Sequence, residues 1–160
     1  MAVTRRTWIP VLAAALAAML WYLRDPAWLS DQTTGLRGWE RTADGSVHRW
    51  SGGHASFFVP AEARQLRIPV ATTFDSREPG GDRPMMVAFT IDDVRAARVL
   101  LEDTAVHEVV LQMPSPGSRR VRRIDVRTSV TREGNHGVKV GAVSMTPDGV
   151  NWRPCCLVPR

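Results

Sequence analysis

Beyond residue 37 the sequence sustains no apolar period of 3.6 residues, and this lack of helical signal most narrows the folds open to the chain. Short runs rich in valine, isoleucine, threonine and phenylalanine recur there instead, separated by turn residues. The runs predict strands at Val47–Ser51, Ala55–Val59, Gln65–Ala71, Met85–Ile91, Arg95–Leu101, His107–Met113, Val121–Val130 and Val138–Met145. Strands of this length and spacing predict an all-β fold, an antiparallel β-sandwich of jelly-roll type with about eight strands. The alternation is clearest in Val121–Val130, where Ile124, Val126, Thr128 and Val130 are expected to face inward and Arg123, Asp125 and Arg127 outward. Val87, Phe89 and Ile91 share one face, as do His107, Val109, Leu111 and Met113. Asp92 and Asp93 read as a tight hairpin loop without the usual glycine at its second position. The run Arg95, Ala96, Ala97, Arg98 offers a helical alternative, but it is short and bounded by strand patterns, so a strand is expected. The turn-rich stretch Asp75–Pro84 is expected to form a mobile rim loop.

The N-terminus is different in kind. Thr7–Leu23 is an uncharged apolar run preceded by Arg5 and Arg6 and closed by Arg24 and Asp25. As a helix it spans about 25 Å, slightly less than a hydrocarbon core of about 30 Å. Trp8 at one end and Trp21 and Tyr22 at the other stand where amphipathic rings favour a membrane interface, and Pro10 falls in the first turn. A cleaved signal peptide, with Ala15 and Ala17 before the cut, is the competing reading. The apolar run continues past that point through Met19 to Leu23, which favours an uncleaved signal anchor. By the positive-inside rule Arg5 and Arg6 hold the N-terminus in the cytoplasm, giving a single-pass bacterial inner-membrane protein whose domain is periplasmic or extracellular. The expected organisation is residues 1–6 cytoplasmic, 7–23 anchor, 24–37 linker, 38–152 sandwich and 153–160 tail.

A chain of 160 residues suits one folded unit with an appendage and excludes a multidomain enzyme. The formal charge is +5, and Lys139 is the one lysine among 21 basic residues. Arginines spread along a whole chain reflect genome composition before they reflect a ligand. Neither a basic recognition helix nor aromatics interleaved with a basic stripe is present, so no nucleic-acid partner is expected.

Catalysis has no visible constellation. There is no G-x-S-x-G elbow, His48, His54, His107 and His136 lack motif partners, and Asp92 and Asp93 on a strand would point to opposite faces. No enzyme activity and no cofactor is therefore expected. His48 and His54 could meet across a hairpin turning at Gly52 and Gly53, but exposed histidines at a hairpin mouth are the simpler reading, and no metal site is expected. Cys155 and Cys156 are neighbours, leaving a vicinal disulfide, an intermolecular bond and free thiols open.

Gly38, Trp39 and Glu40, then Arg49 and Trp50, Ala55–Pro60 and Arg119–Thr128 together resemble a β-sandwich module of bacterial membrane-associated glycosyltransferase and envelope proteins, over about residues 38–146. Ser144–Trp152 is similar to the strand, Asp-Gly turn and tryptophan of discoidin-like, galactose-binding-type domains. These resemblances imply a carbohydrate-binding type of sandwich without catalytic machinery.

Sugar binding needs an aromatic plate for a pyranose face and polar groups for its hydroxyls. Trp39, Trp50 and Trp152 are the candidate plates, and Glu40, His48, Arg49, Asn135, His136 and Asn151 the polar candidates. Trp39 and Trp50 are expected to cap the core beside a Glu40–Arg49 ion pair, leaving Trp152 as the better exposed plate. Arg119, Arg120, Arg122 and Arg123 form a cluster for anionic glycan or lipid headgroups, or else a solvated strand face. The expected role is a membrane-anchored glycan or envelope-polymer binder, with an assembly subunit docking onto a partner membrane protein as the alternative.

Overall fold

The computed structural model of the chain describes residues 8–22, 29, 32–73, 75–76, 83–131 and 136–146. One helix, α1 (Trp8–Tyr22), precedes nine strands: β1 (Thr33–Arg41), β2 (Val47–Pro60), β3 (Gln65–Ala71), β4 (Met85–Ile91), β5 (Val94–Leu101), β6 (His107–Gln112), β7 (Val121–Thr128), β8 (Lys139–Gly141) and β9 (Ser144–Thr146). All pairings are antiparallel.

The architecture turns on β2, which is one bent strand and not the hairpin expected around Gly52 and Gly53. Its first half, His48–Trp50, pairs with β8, and its second half, His54–Pro60, pairs with β7. A strand that changes sheets at a bend makes the corner of a sandwich. Counting the halves separately, the strand orders are β2-β8-β3-β6 and β2-β7-β4-β5, two curled layers in jelly-roll order. β1 follows β2 round the corner, with register shifts between Thr34 and Trp39, and β9 extends β8's place beside β3.

Backbone contacts close the corner. The Ser51 N–H donates to the Val138 carbonyl at 2.9 Å, the Val138 N–H donates to Ser51 Oγ at 2.9 Å, and the Gly137 N–H donates to the Ser51 carbonyl at 2.7 Å. A Cβ on Gly137 would lie 2.4 Å from the Gly52 carbonyl oxygen, and one on Gly35, which has φ +68°, 2.1 Å from that of His54. Only glycine permits so close an approach.

The core lies between the layers. Leu66, Ile68 and Val70 of β3, Met85, Val87, Phe89 and Ile91 of β4, and Ile124 and Val126 of β7 are all buried. The period-two reading of β4 and β7 therefore holds, as does the strand at β5. The Asp92–Asp93 hairpin also holds. Both residues have positive φ, 48° and 69°, as a two-residue turn matching strand twist demands, and aspartate tolerates that region.

Other boundaries differ from expectation. β1 begins at Thr33, inside the stretch read as linker, because pairing with β2 outweighs its weak local pattern. The strand expected over Val138–Met145 breaks into β8 and β9. β7 ends at Thr128, so Val130 is exposed, and Asp125, expected to face water, is buried under its own partners. Most of Asp75–Pro84, as well as Asn135, Asn151, Trp152, Cys155 and Cys156, lies outside the described residues.

The helix is 15 residues long, about 22 Å at the standard rise, and every apolar side chain from Trp8 to Leu20 is exposed. Among the described residues no helix is long and apolar enough to cross a membrane.

Candidate functional site

The first half of β2 presents two faces. On one, Trp39 of β1 stands opposite Arg49, and the Arg49 guanidinium lies 5.5 Å from the Trp39 ring centre. Arg49 also donates to the Arg37 carbonyl at 2.5 Å and to Thr33 Oγ1 at 3.2 Å, and burial lowers its pKa. Trp39 is half-buried and lines a small cleft with Leu36, Phe57, Val140 and Val143.

On the other face Glu40 stands opposite His48. The Trp50 indole N–H donates to Glu40 Oε2 at 3.1 Å, and His48 Nε2 lies 3.7 Å from the same oxygen. His136 packs against Trp50 at 4.9 Å between ring centres, and Lys139 Nζ sits 5.2 Å from the Trp50 ring centre. The expected Glu40–Arg49 ion pair is thus not formed, since adjacent positions on paired strands point to opposite faces. Each tryptophan is half-buried and carries a cation over its ring, so neither is an open plate.

At His48 and Lys139 the surface opens into a trough of about 630 Å³, which Trp50 does not line. His48, Lys139 and Gly141 line it from β2 and β8, Pro69 to Thr73 from the end of β3, Thr104 and Val106 from the β5–β6 loop, and Thr42, Asp44 and Ser46 from the β1–β2 hairpin. In that hairpin Asp44 Oδ1 accepts from Thr42 Oγ1, from the Ser46 N–H at 3.0 Å and from Ser46 Oγ at 2.8 Å. Those donors, Thr42 foremost, pull the Asp44 pKa down to about 2. Gly45, at φ +86°, completes the turn. His48 is pushed below its ordinary pKa by burial first and then by the Lys139 charge, so it is neutral at pH 7. The hairpin carried an Asp-Gly turn signal in the sequence, yet nothing local joined it to the Thr72–Thr73 and Thr104 loops.

The arginine cluster lies at the other end of β2 and does not join this site. Arg122 Nη1 reaches Asp92 at 2.7 Å and Arg119 reaches it at 3.6 Å. Arg123 binds Asp93 and, through Nε at 3.1 Å, Asp125. Arg120 is exposed, and its carbonyl accepts from the Ala61 N–H at 2.8 Å. The guanidinium groups of Arg119, Arg122 and Arg123 therefore have carboxylate partners within the fold, which weakens their pull on an external anion.

His48 and His54 lie six residues apart on one continuous bent strand, His48 in the half that pairs with β8 and His54 in the half that pairs with β7, and do not face each other across a hairpin. Among the described residues no group of three or more His, Cys, Asp or Glu side chains is placed to hold a metal. His54 instead meets Asp125, Nε2 to Oδ1 at 3.0 Å, a pair the sequence did not reveal.

No protein-family profile and no curated protein matches the sequence. Solved structures with a similar fold include a family two carbohydrate esterase from Clostridium thermocellum in complex with cellohexaose, at 8% identity and TM-score 0.46, covering 72% of this chain and 31% of that one. The present chain thus spans about a third of the esterase. A family 36 carbohydrate-binding module in complex with calcium and xylotriose aligns at 10% identity and TM-score 0.44, covering 73% of this chain and 96% of that one. A second family 36 module, from a multidomain xylanase of the Trinervitermes trinervoides hindgut metagenome, aligns at 10% identity and TM-score 0.37, covering 69% and 98%. None of the three is a glycosyltransferase, so the expected tie to glycosyltransferase modules gains nothing from them. At these scores neither ligand nor activity passes to this chain.

Proposed function

We propose that this chain is a noncatalytic glycan-binding jelly roll of the bacterial envelope, anchored in the inner membrane by its N-terminal helix with the domain exported. The observation that carries the reading is the trough at His48 and Lys139. Its volume, about 630 Å³, falls within the range of roughly 300–1,000 Å³ usual for small-ligand sites. Its lining mixes apolar surface from Val47, Pro69, Val70 and Val106 with hydroxyls from Thr42, Ser46, Thr72, Thr73 and Thr104. A pyranose asks for both, because its C–H faces are apolar and its rim is polar.

The anchor rests on α1 and on Arg5 and Arg6 before it. A helix apolar on every side, with those side chains exposed, is stable only where lipid or another apolar surface covers it.

The assembly reading keeps one observation of its own. Met86 and Leu100 stand opposite each other on β4 and β5, both exposed, at one edge of the layers. Such a patch suits a protein partner better than a sugar.

A glycan array with the full chain in detergent micelles, run beside a pull-down from membranes, separates the readings. Binding to the array, lost in Trp152→Ala with the melting temperature unchanged, is the expected result and makes Trp152 the stacking plate. An empty array with a membrane partner recovered overturns the glycan reading.

A further inference from the structure

The outer surface of the β2-β7-β4-β5 layer carries arginines that the fold does not neutralise. Ala88 of β4 pairs with Arg98 of β5 on one side and with Arg127 of β7 on the other, and His54 of β2 continues the same row beyond Arg127. In the neighbouring row Thr90 stands between Arg95 and Asp125. Arg95, Arg98 and Arg127 are exposed, and among the described residues no carboxylate lies within ion-pair distance of any of them.

This shared face is a product of the fold. Arg95 and Arg98 are three residues apart, and on a regular strand they would point to opposite faces. The register shift between Phe89 and Thr90 leaves Ala96 without a cross-strand partner and sets Arg95 opposite Thr90, so Arg95 takes the outward place that Ala96 would otherwise hold. Bulges re-aim side chains in this way and are frequent beside functional sites. Elsewhere outward arginines are matched within the fold: Arg67 meets Glu108 at 2.8 Å, and Arg122 and Arg123 meet Asp92, Asp93 and Asp125.

We infer that this face binds an acidic polysaccharide, with one carboxylate seated over Ala88 between Arg98 and Arg127 and a second at Arg95. The inference takes its ligand class from the glycan-binding reading above and places it on a second surface, since none of these residues lines the trough.

Strands two apart in a sheet lie about 10 Å from each other, a gap that two arginine side chains can close over the small Ala88. A guanidinium fork matches the two oxygens of a carboxylate. One exposed ion pair contributes only about 0–1 kcal/mol, so a lone anion is held weakly. A polymer bearing several carboxylates sums such pairs on one chain, which favours a polyanion over a free anion. A polysaccharide also fits better than a lipid surface. Asp93, exposed at the β4–β5 hairpin beside this face, would press against an anionic bilayer, whereas a chain following the row from His54 to Arg98 passes it by.

The test uses the full chain in detergent micelles, with polygalacturonate and the neutral polymer dextran as probes. The wild type is expected to bind polygalacturonate in preference to dextran, and less well as salt rises. Replacing Arg95, Arg98 and Arg127 together with glutamine should weaken that binding about tenfold or more, the scale of three exposed ion pairs, without lowering the melting temperature. Ala88→Glu puts a carboxylate of the chain's own between Arg98 and Arg127. It should weaken polygalacturonate binding as well and raise the melting temperature, because opposite charges directly across strands stabilise. Unchanged polygalacturonate affinity in either folded variant overturns this inference. So does a wild type that ignores polygalacturonate but gains amide protection on β4 and β5, absent from the triple variant, when phosphatidylglycerol is added to the micelles, a result that assigns the face to lipid. Binding to neutral glycans with none to polygalacturonate overturns the inference and leaves the glycan-binding reading standing, whereas binding to no glycan overturns both.

Discussion

His54 on β2 and Asp125 on β7 meet across the outer surface of one layer, Nε2 to Oδ1 at 3.0 Å, with the carboxylate buried and the imidazole half in water. Thr90 donates to the other Asp125 oxygen at 3.2 Å and Arg123 Nε to it at 3.1 Å. Burial pushes the Asp125 carboxyl up, but the hydrogen bonds from His54 and Arg123, the Arg123 charge and the Thr90 hydroxyl outweigh it and hold it below its ordinary value. The same bond raises the Arg123 pKa.

Because the folded state lowers the Asp125 pKa, its contribution to stability is present above the unfolded value of about 3.9 and is lost as pH falls through the folded value. Asp125→Asn should cost about 1–3 kcal/mol at pH 7 and less at pH 2.5, below the unfolded value. Thermal melts at the two pH values check this. An equal cost at both would remove the charge from the account.

His48 titrates in a different window. Burial holds its folded pKa below the ordinary histidine value of about 6.5, so stability is complete above that value and declines as pH falls from it through the folded one. Melting temperature should drop between pH 7.5 and pH 5 in the wild type and drop less in His48→Gln. An identical pH response in the variant would place the titration elsewhere.

The corner of β2 should be intolerant of a methyl group. Gly137→Ala drives its Cβ into the Gly52 carbonyl and Ser51 Oγ, and should destabilise by about 3 kcal/mol or more. Gly38→Ala, with nothing within 4 Å of the new Cβ, should stay within about 0.5 kcal/mol of the wild type. Urea titrations compare the two, and equal midpoints would refute the crowding argument.

Phe89 is fully buried between the layers, and Phe89→Ala should cost about 3–5 kcal/mol. The far-ultraviolet circular dichroism of the wild type should show β structure with one short helix, and the variant's denaturant midpoint should fall sharply. A helix-dominated spectrum would contradict the fold.

The proposed anchor makes a topological prediction. A periplasm-active reporter fused after Arg160 should be active, and Leu16→Arg should reduce membrane retention by placing a charge mid-helix, at about 2.5–3.5 kcal/mol on insertion scales. A cytoplasmic signal from the fusion would sink the exported orientation.

Much of this molecule follows from its sequence alone. Period-two alternation tells which side chains of β4, β6 and β7 face the core, because Cβ direction alternates along any extended strand. The Asp92–Asp93 turn is legible for a similar reason, since a two-residue gap between strands demands positive φ and aspartate supplies it. The helix at Trp8–Tyr22 needs no partner to be recognised. What local pattern could not supply is which strand lies beside which. Tertiary pairing with β8 and β7 makes Gly52 and Gly53 a corner instead of a turn, and pairing with β2 turns the start of a supposed linker into a strand. It also buries Asp125 beneath His54 and Arg123, sets Glu40 and Arg49 on opposite faces, and gathers Asp44, Thr72, Thr104 and Lys139 round one trough. Each of these joins residues far apart in sequence, and their meeting depends on register and on the bend in β2, neither of which any one segment encodes.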